Sequence, residues 1–277
     1  MSIVTSTTKD ASKLVPFLKW PGGKRWFIRR HLDELPSSFN RYIEPFMGSA
    51  SVFFALQPDE AFLSDENSEL VNLFNQMKTK HRQLQAELEK HAKEHCEAYY
   101  YIVRGSTPSD ALSRAARTLY LNRACFNGIY RVNMRGEFNV PKGSKDEITL
   151  DSDNFVEIAR ALRKAKITRS DFESSISNAK CGDFVFADPP YTVQHNNNGF
   201  LKYNEKIFSW DDQVRLAKCL RKAADRGVKI VATNANHASV VDLFQKHGFT
   251  TSPLSRFSSI SGKGASRKQY EELIIKS

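Results

Sequence analysis

The sequence predicts an α/β protein: a mainly parallel sheet with flanking helices, interrupted by an inserted, mainly helical module. Three observations predict it. Short apolar runs of strand length recur at Tyr42-Ile43-Glu44, Ala61-Phe62-Leu63-Ser64, 167–172, 183–187, 228–233 and 272–275, and over much of the chain they alternate with helical periodicity. The first run is followed by small residues, Met47-Gly48-Ser49-Ala50-Ser51, and an apolar helix start at 52–56, so strand, tight turn and helix form one unit. Between residues 67 and 165 this alternation stops and helical patterning takes over.

Taken in order, residues 1–13 are polar and rich in Ser and Thr, and a disordered leader is expected there. Order is expected to begin at 15–20, which runs into Pro21-Gly22-Gly23-Lys24, a turn that lets backbone approach a ligand closely. The spacing of a Walker phosphate loop is missing. After the strand ending at Glu44, the helix start offers free N–H groups, and Asp65, twenty-one residues on, closes the next strand. An acidic residue there can bind ribose hydroxyls. A NAD-binding domain would use the same physics, but the G-x-G-x-x-G fingerprint is absent from this turn.

Leu70, Leu73, Phe74, Met77, Leu84 and Leu88 recur at helical spacing and predict a scaffold helix over about 66–92, and Tyr99-Tyr100-Tyr101 reads as core. From 111 to 136 there are five arginines and no Asp or Glu. Such a one-signed stretch, interleaved with aromatics, Asn and Gly, suits phosphate contacts and base reading; a basic helix face is the bland alternative. A helix returns at 158–162, and 167–172 reads as a strand ending in Asp-Phe. Ser209 is expected to cap a helix with Asp211 and Asp212 in its first turn and Gly227 at its end. A strand at 228–233, a helix at 238–246 closed by Gly248 and a strand at 272–275 complete the chain. The polar loop Asn196-Asn197-Asn198-Gly199 is placed to cover a ligand, and 258–268, with three basic residues and two glycines, reads as a loop facing a polyanion. No internal repeat is evident.

At 277 residues the chain can bury a substantial core. Its 41 Lys+Arg against 31 Asp+Glu give a net charge of +10 and a pI near 9.4, which favours a polyanionic partner without proving one. Cys96, Cys125, Cys181 and Cys219 are scattered with no C-x-x-C pair, so reduced thiols are expected and no metal site. No apolar run has transmembrane length and the N-terminus lacks a signal-like core; a soluble cytoplasmic protein with no membrane partner is expected, and a monomer.

The most chemically explicit stretch is Asp188-Pro189-Pro190-Tyr191, at the end of the apolar run 183–187. Aspartate accepts hydrogen bonds, an Asp-Pro-Pro backbone presents carbonyls with no competing N–H at the prolines, and tyrosine offers a stacking face. These groups suit a planar ring carrying an exocyclic amine. A plain surface turn is the alternative, and the tetrapeptide needs company to carry a function.

That company is present. Phe17-Leu18-Lys19-Trp20-Pro21-Gly22-Gly23-Lys24, Tyr42-Ile43-Glu44-Pro45-Phe46-Met47-Gly48-Ser49, Leu63-Ser64-Asp65-Glu66-Asn67, the block from Leu121 to Asn133 continuing through Gly136-Glu137-Phe138-Asn139-Val140-Pro141, and Asp188 to Tyr191 resemble, in order, the motifs of Dam-type site-specific N6-adenine DNA methyltransferases. The resemblance implies a Rossmann-like catalytic domain over 14–66 and 166–277, which binds S-adenosylmethionine, and an inserted target-recognition domain over 67–165. It implies transfer of a methyl group to N6 of an adenine flipped out of double-stranded DNA, within GATC, in a setting such as restriction-modification. Asp188, Pro189, Pro190 and Tyr191 would then be catalytic. Trp20 and Lys24 would meet the donor's polar end, Glu44, Phe46 and Asp65 would line its pocket with Asp188, and Asp171 and Phe172 would contact its adenine. Lys19, Arg123, Phe126, Asn127, Ile129, Arg131, Asn133 and Pro141 would touch DNA, with Arg131 reading guanine and Phe126 wedging into the duplex; Lys263 and Arg267 would follow from the C-terminal basic loop.

Two departures stand out. Ala50 sits where the family usually has a second glycine, and 142–147 lacks the family's usual aromatic. Methylation of cytosine N4 or of RNA adenine uses a related loop, and a DNA-binding relative without catalysis would keep the fold; these readings stay open at this stage.

Overall fold

The computed structural model describes residues 14–133, 135–193, 208–257 and 269–277. The expected leader at 1–13, the 196–199 loop, Lys263 and Arg267 lie outside the described residues.

The chain enters through a short helix, α1 (Arg25–Arg30), and then builds β1 (Tyr42–Glu44), α2 (Ser51–Leu56) and β2 (Ala61–Asp65). The crossover to β3 (Ala165–Arg169) carries four helices: α3 (Ser68–Lys93), α4 (Glu97–Gly105), α5 (Ala111–Ala124) and α6 (Phe155–Leu162). The second half runs α7 (Phe172–Ser177), β4 (Phe184–Ala187), α8 (Trp210–Asp225), β5 (Lys229–Ala235), α9 (Ala238–Lys246), β6 (Thr250–Phe257) and β7 (Gln269–Lys276).

The seven strands form one sheet in the order β3-β2-β1-β4-β5-β7-β6. All neighbours up to β5 are parallel, while β7 runs antiparallel to both β5 and β6. The chain winds outward in one direction from β1 and in the other from β4, so the switch in winding falls between these two strands. Carboxyl ends of strands flanking such a switch open a crevice where α/β proteins bind ligands. Glu44 ends β1 and Asp188 follows β4, so both stand at that crevice.

The expected α/β class is therefore what the chain forms, and the alternation of side chains along β4 explains how both faces are covered. Phe184 and Phe186 enter the apolar cluster that holds Phe27, Phe53 and Phe74, whereas Val185 and Ala187 enter the cluster of Phe172, Leu216, Leu220 and Phe244. The four crossover helices do not build a core of their own. Leu70, Phe74, Met77, Tyr100 and Tyr120 belong to the same buried cluster as the sheet residues Tyr42, Leu63 and Phe184.

Local differences from the sequence reading have physical causes. The expected strand through 172 stops at Arg169, because the Asp171 side chain accepts from Glu173 N–H and starts α7 at Phe172. Strand β6, which the sequence reading did not assign, is the sheet's outer edge, where Pro253 is tolerated because one side needs no donors. The Ser209 cap is present as a reciprocal box with Asp212.

Asp183 fastens β4 at its start. Its carboxylate accepts from Arg41 Nε (3.1 Å) and Nη2 (2.5 Å), from the backbone N–H of Arg41 (3.2 Å) and from that of Lys180 (2.8 Å). Burial alone would raise its pKa, but the Arg41 guanidinium and these N–H groups outweigh burial and hold it below the ordinary aspartate value. A carboxylate with a depressed folded pKa contributes stability above its unfolded pKa, which is lost as pH falls through the folded value. Asp183→Asn is expected to lower stability near neutral pH by about 3 kcal/mol and to flatten its fall below about pH 4. Urea melts at several pH values read both; an unchanged midpoint at pH 7 would contradict the assignment.

Candidate active site

The centre of the crevice is a buried lysine. Lys24 follows the Pro21-Gly22-Gly23 turn and is only 3% exposed. Its Nζ lies 2.9 Å from Asp188 Oδ2 and 3.4 Å from Glu272 Oε2, and it donates to Gly22 O at 2.8 Å. One hydrogen bond and two ion pairs surround the buried ammonium. Lys24, expected from the sequence at the polar end of a donor, is thus engaged with Asp188 and Glu272, one ammonium facing two carboxylates.

Asp188 is held from the other side by Thr233 on β5, whose hydroxyl donates to Oδ1 at 2.7 Å. Tyr191 is held by its phenol, which donates to Glu272 Oε2 at 2.7 Å, while its ring lies 5.2 Å from the Lys24 ammonium. Behind the loop runs a chain of buried polar groups: Thr192 Oγ1 donates to Phe208 O, Gln213 Nε2 to Thr192 O, and Asn234 Nδ2 to Gln213 Oε1. The Asp-Pro-Pro-Tyr segment is accordingly fixed at both ends and from behind.

Burial raises the Asp188 pKa above the ordinary aspartate value; Glu272 adds to the rise, while Lys24 and Thr233 oppose it. Tyr191 is raised well above the usual phenol value, first by burial and then by the negative charge of Asp188 and Glu272. Glu44 is also raised well above its usual value, first by burial, with Asp188 and Asp65 adding negative charge. Among the described residues its buried Oε2 has no hydrogen-bond partner.

On the β1 side, Asp65 organises the turn. Its Oδ2 accepts from Gly48 N–H at 3.1 Å and its Oδ1 from Asn67 N–H at 3.0 Å. Each carboxylate oxygen has a further lone pair, so Asp65 retains capacity for a hydroxyl. Gly48 has φ +47°, and a Cβ there would lie 2.9 Å from Trp20 Cδ1, so only glycine lets the indole pack on the turn. Ala50 also has a left-handed φ of 52°. The glycine usual at that position avoids a strain of about 1–2 kcal/mol that alanine incurs.

Phe46 and Phe172 stack at 5.5 Å, and the Arg215 guanidinium lies 4.1 Å from the Phe172 ring. Arg215 also grips Asp171 through both carboxylate oxygens, at 2.8 and 2.9 Å, which lowers the Asp171 pKa. Asp171 is thereby a cap and an ion-pair partner at the mouth of the crevice, and Phe172 is mostly buried behind Phe46.

The expected recognition residues divide into two groups. Lys19, Phe126, Ile129, Arg131 and Pro141 are exposed, Phe126 by 53% and Ile129 by 39%. Arg131 braces a small hairpin by donating from Nε to Asn139 Oδ1 at 2.8 Å, and Asn127 stands in the left-handed region at φ 55°. Arg123 and Asn133 are engaged within the fold. The Arg123 side chain is 5% exposed, pairs with both oxygens of Asp153 at 2.6 Å and donates to Ile148 O and Phe17 O, so its two terminal nitrogens are engaged inside the fold. The Asn133 side chain closes the hairpin turn by accepting from the N–H groups of Arg135 and Glu137.

Three residues escaped the sequence reading. Thr233 and Glu272 complete the Asp188–Tyr191 frame. Asn122, buried on α5, exchanges hydrogen bonds with the Lys19 backbone at 2.9 and 2.7 Å and donates to Gly128 O at 3.3 Å. For Thr233 and Asn122 the one local signal is a polar residue in an apolar run; Glu272 stands where the polar stretch 268–272 meets the apolar strand residues 273–275. Asn122 seats the Lys19-Trp20 segment against the recognition block: Trp20 stacks on Tyr130 at 4.9 Å, and a Cβ on Gly128 would lie 2.7 Å from Lys19 Cδ.

The chain is similar to known proteins over most of its length. Residues 20–260 match the sequence model of the D12 class N6 adenine-specific DNA methyltransferases. The chain is 35% identical over 276 residues to the type II methyltransferase M1.LlaDCHI of Lactococcus lactis subsp. cremoris, covering 96% of each chain. It is 34% identical over 286 residues to the type II methyltransferase M.MjaIII of Methanocaldococcus jannaschii, covering 94% of this chain and 98% of the relative. It is 31% identical over 265 residues to the DNA adenine methylase of Escherichia coli K12, covering 93% of each. Among the described residues no helix is long and apolar enough to cross a membrane, and no group of three or more metal-ligating side chains is gathered.

The electrostatics of the frame can be read directly. In a carboxyl 13C NMR titration Asp188 is expected to titrate above the ordinary aspartate value of about 3.9, and Lys24→Met is expected to move its midpoint further up by removing the opposing charge. A downward move in Lys24→Met would contradict the ion pair.

Proposed function

The chain belongs to the D12 class N6 adenine-specific DNA methyltransferases, and from that membership we propose that it transfers a methyl group from S-adenosylmethionine to N6 of an adenine extruded from duplex DNA, within GATC. The observation that carries this reading is the Asp188–Tyr191 segment, anchored at the carboxyl end of β4 beside β1 by Lys24, Thr233 and Glu272.

The residues at the crevice fit such a donor. Glu44, with an unpartnered buried oxygen, suits an ammonium; Asp65 keeps lone pairs for ribose hydroxyls; Phe46 and Phe172 offer apolar ring surface. The donor would supply a methyl carbon made electrophilic by a positive sulfur: as the new N–C bond forms the C–S bond breaks, the sulfur leaves as a neutral thioether, and the methylated amine gives up one N–H proton.

The adenine amine is a poor nucleophile because its lone pair is delocalised into the ring. Asp188 and the Pro189 carbonyl each accept one N–H and favour a geometry in which that lone pair turns toward the methyl carbon. Oδ1 of Asp188 accepts one hydrogen bond from Thr233 and Oδ2 is ion-paired with Lys24, and each oxygen has a further lone pair for the amine. Lys24 has a definite task here: burial favours the neutral acid, and the ammonium opposes it and sustains the carboxylate as an acceptor. Tyr191 supplies the stacking face for the base. The adenine must leave the helix to reach this point, at a cost of a few kcal/mol that stacking and wedge residues such as Phe126 offset. Positioning is the enzyme's main contribution, since no covalent intermediate is needed.

Recognition is proposed for the exposed edge formed by Lys19, Phe126, Asn127, Ile129, Arg131 and Pro141. Arg131 presents a guanidinium of the kind that reads the O6 and N7 edge of guanine. The net charge of +10 suits the duplex as a whole.

Two outcomes are expected. Asp188→Ala should lower the methylation rate by about 10³-fold or more while DNA affinity changes little, as read by product nucleoside analysis and a binding titration; retained N6-methyladenine formation, or N4-methylcytosine as the wild-type product, would overturn the reading. Arg131→Ala should cost about 1–3 kcal/mol on the cognate site and relax discrimination at one base pair, as read by sequencing of methylated DNA; equal weakening on all sequences would make it a phosphate contact.

A further inference from the structure

Glu272 has no part in the reaction as set out above, yet its surroundings are built around its charge. It stands on β7 opposite Ala235 of β5, two residues beyond Thr233, and is 6% exposed. A carboxylate so deeply placed is costly unless its oxygens are partnered. Its partners are the Tyr191 hydroxyl at 2.7 Å and the Lys24 ammonium at 3.4 Å, both aimed at the same Oε2. Ile274, two residues on and on the same face of the strand, is packed into the apolar cluster, so an apolar residue is accommodated on this face of β7. What it would not do is fix a phenol and share an ammonium.

We infer that Glu272 is a positioning residue for the transfer step: it sets the plane of the Tyr191 ring through the phenol hydroxyl and, by sharing Lys24 with Asp188, fixes where the acceptor carboxylate sits. The inference rests on the proposed reading, in which Tyr191 stacks on the base and Asp188 receives its amine. A tyrosine ring anchored only at its Cβ can turn about two side-chain bonds, whereas one anchored also at its hydroxyl is a fixed plane. Lys24 is held between two carboxylates and a backbone carbonyl, so removing Glu272 lets the ammonium swing toward Asp188 and shifts the acceptor. Misplacement of reacting groups by about 1 Å is enough to cost on the order of 10²-fold in rate.

The test is a set of single-turnover methylation rates on a duplex of known cognate sequence, for wild type, Asp188→Ala, Glu272→Ala, Glu272→Gln, Tyr191→Phe and the Glu272→Ala/Tyr191→Phe pair, alongside DNA affinity and the KM for S-adenosylmethionine. Glu272→Ala is expected to slow methylation by roughly 10–100-fold with DNA affinity and donor KM changed by less than about threefold, because positioning acts on the step and not on binding. Glutamine keeps an acceptor for the phenol, so Glu272→Gln should recover to within about threefold of wild type. Tyr191→Phe removes the same hydrogen bond from the other side at nearly constant volume. It should therefore slow the reaction by itself, and adding it to Glu272→Ala should cost less than about a further twofold. A wild-type rate in Glu272→Ala or in Tyr191→Phe, losses that multiply in the pair, or no recovery by glutamine would overturn the inference. If the wild type places no methyl group on DNA adenine, or Asp188→Ala keeps its rate, the proposed reading itself has failed; an active wild type that needs Asp188 and is indifferent to Glu272 defeats the inference alone.

Discussion

The site depends on one constraint, a single ammonium shut between two carboxylates. Lys24 is nearly inaccessible, and Asp188 and Glu272 both reach it. Taking these charges out of water is expensive, and their mutual attraction repays it only with good geometry and further hydrogen bonds. Those bonds come from Gly22 O, Thr233 and Tyr191, so one charge cluster ties together the Pro21-Gly22-Gly23 turn, the loop after β4 and the two strands β5 and β7. The same arrangement holds in place the carboxylate that must accept from a neutral amine, with the Lys24 ammonium opposing the neutral acid that burial favours.

The antiparallel strand β7 is what makes this possible. A purely parallel sheet would end its usable edge at β5, but β7 inserts between β5 and β6 and brings Glu272 beside the carboxyl end of β4 from the far end of the chain. On the other side, Trp20 joins the two halves of the task. Its indole packs on the Gly48 turn, which Asp65 holds, and stacks on Tyr130 in the recognition block, while Asn122 pins the adjoining backbone. The donor pocket and the recognition edge are built on the same segment of chain.

How much of this was legible in the sequence depended on how local each determinant is. The α/β class followed from short apolar runs, which form largely buried strands at β1, β4 and β5, alternating with period-3.6 patterning, and Asp188 to Tyr191 announced its chemistry within four residues. The elements that were misread or left unassigned depend on partners far along the chain. Arg123 reads as a DNA contact by sign alone, because its partner Asp153 lies thirty residues away on a separate loop. Lys24, Thr233 and Glu272 belong to one cluster although up to 248 residues separate them, as 272 minus 24 gives. Strand β6 carries Pro253 and no clean alternation, since an edge strand needs neither full pairing nor two apolar faces. Ala50 looked like a minor departure from glycine; its positive φ, which no sequence displays, is what makes that position favour glycine.

The central claim is that Asp188, with the Pro189 carbonyl and the Tyr191 ring, receives an extruded adenine amine. A crystal structure of the protein with a donor analogue and a cognate duplex measures this directly. The account predicts the adenine amino nitrogen at hydrogen-bond distance, about 3 Å, from both the Asp188 carboxylate and Pro189 O, with the Tyr191 ring parallel to the base and its hydroxyl still on Glu272. An adenine seated elsewhere, with Asp188 bonded only to Lys24 and Thr233, would contradict it.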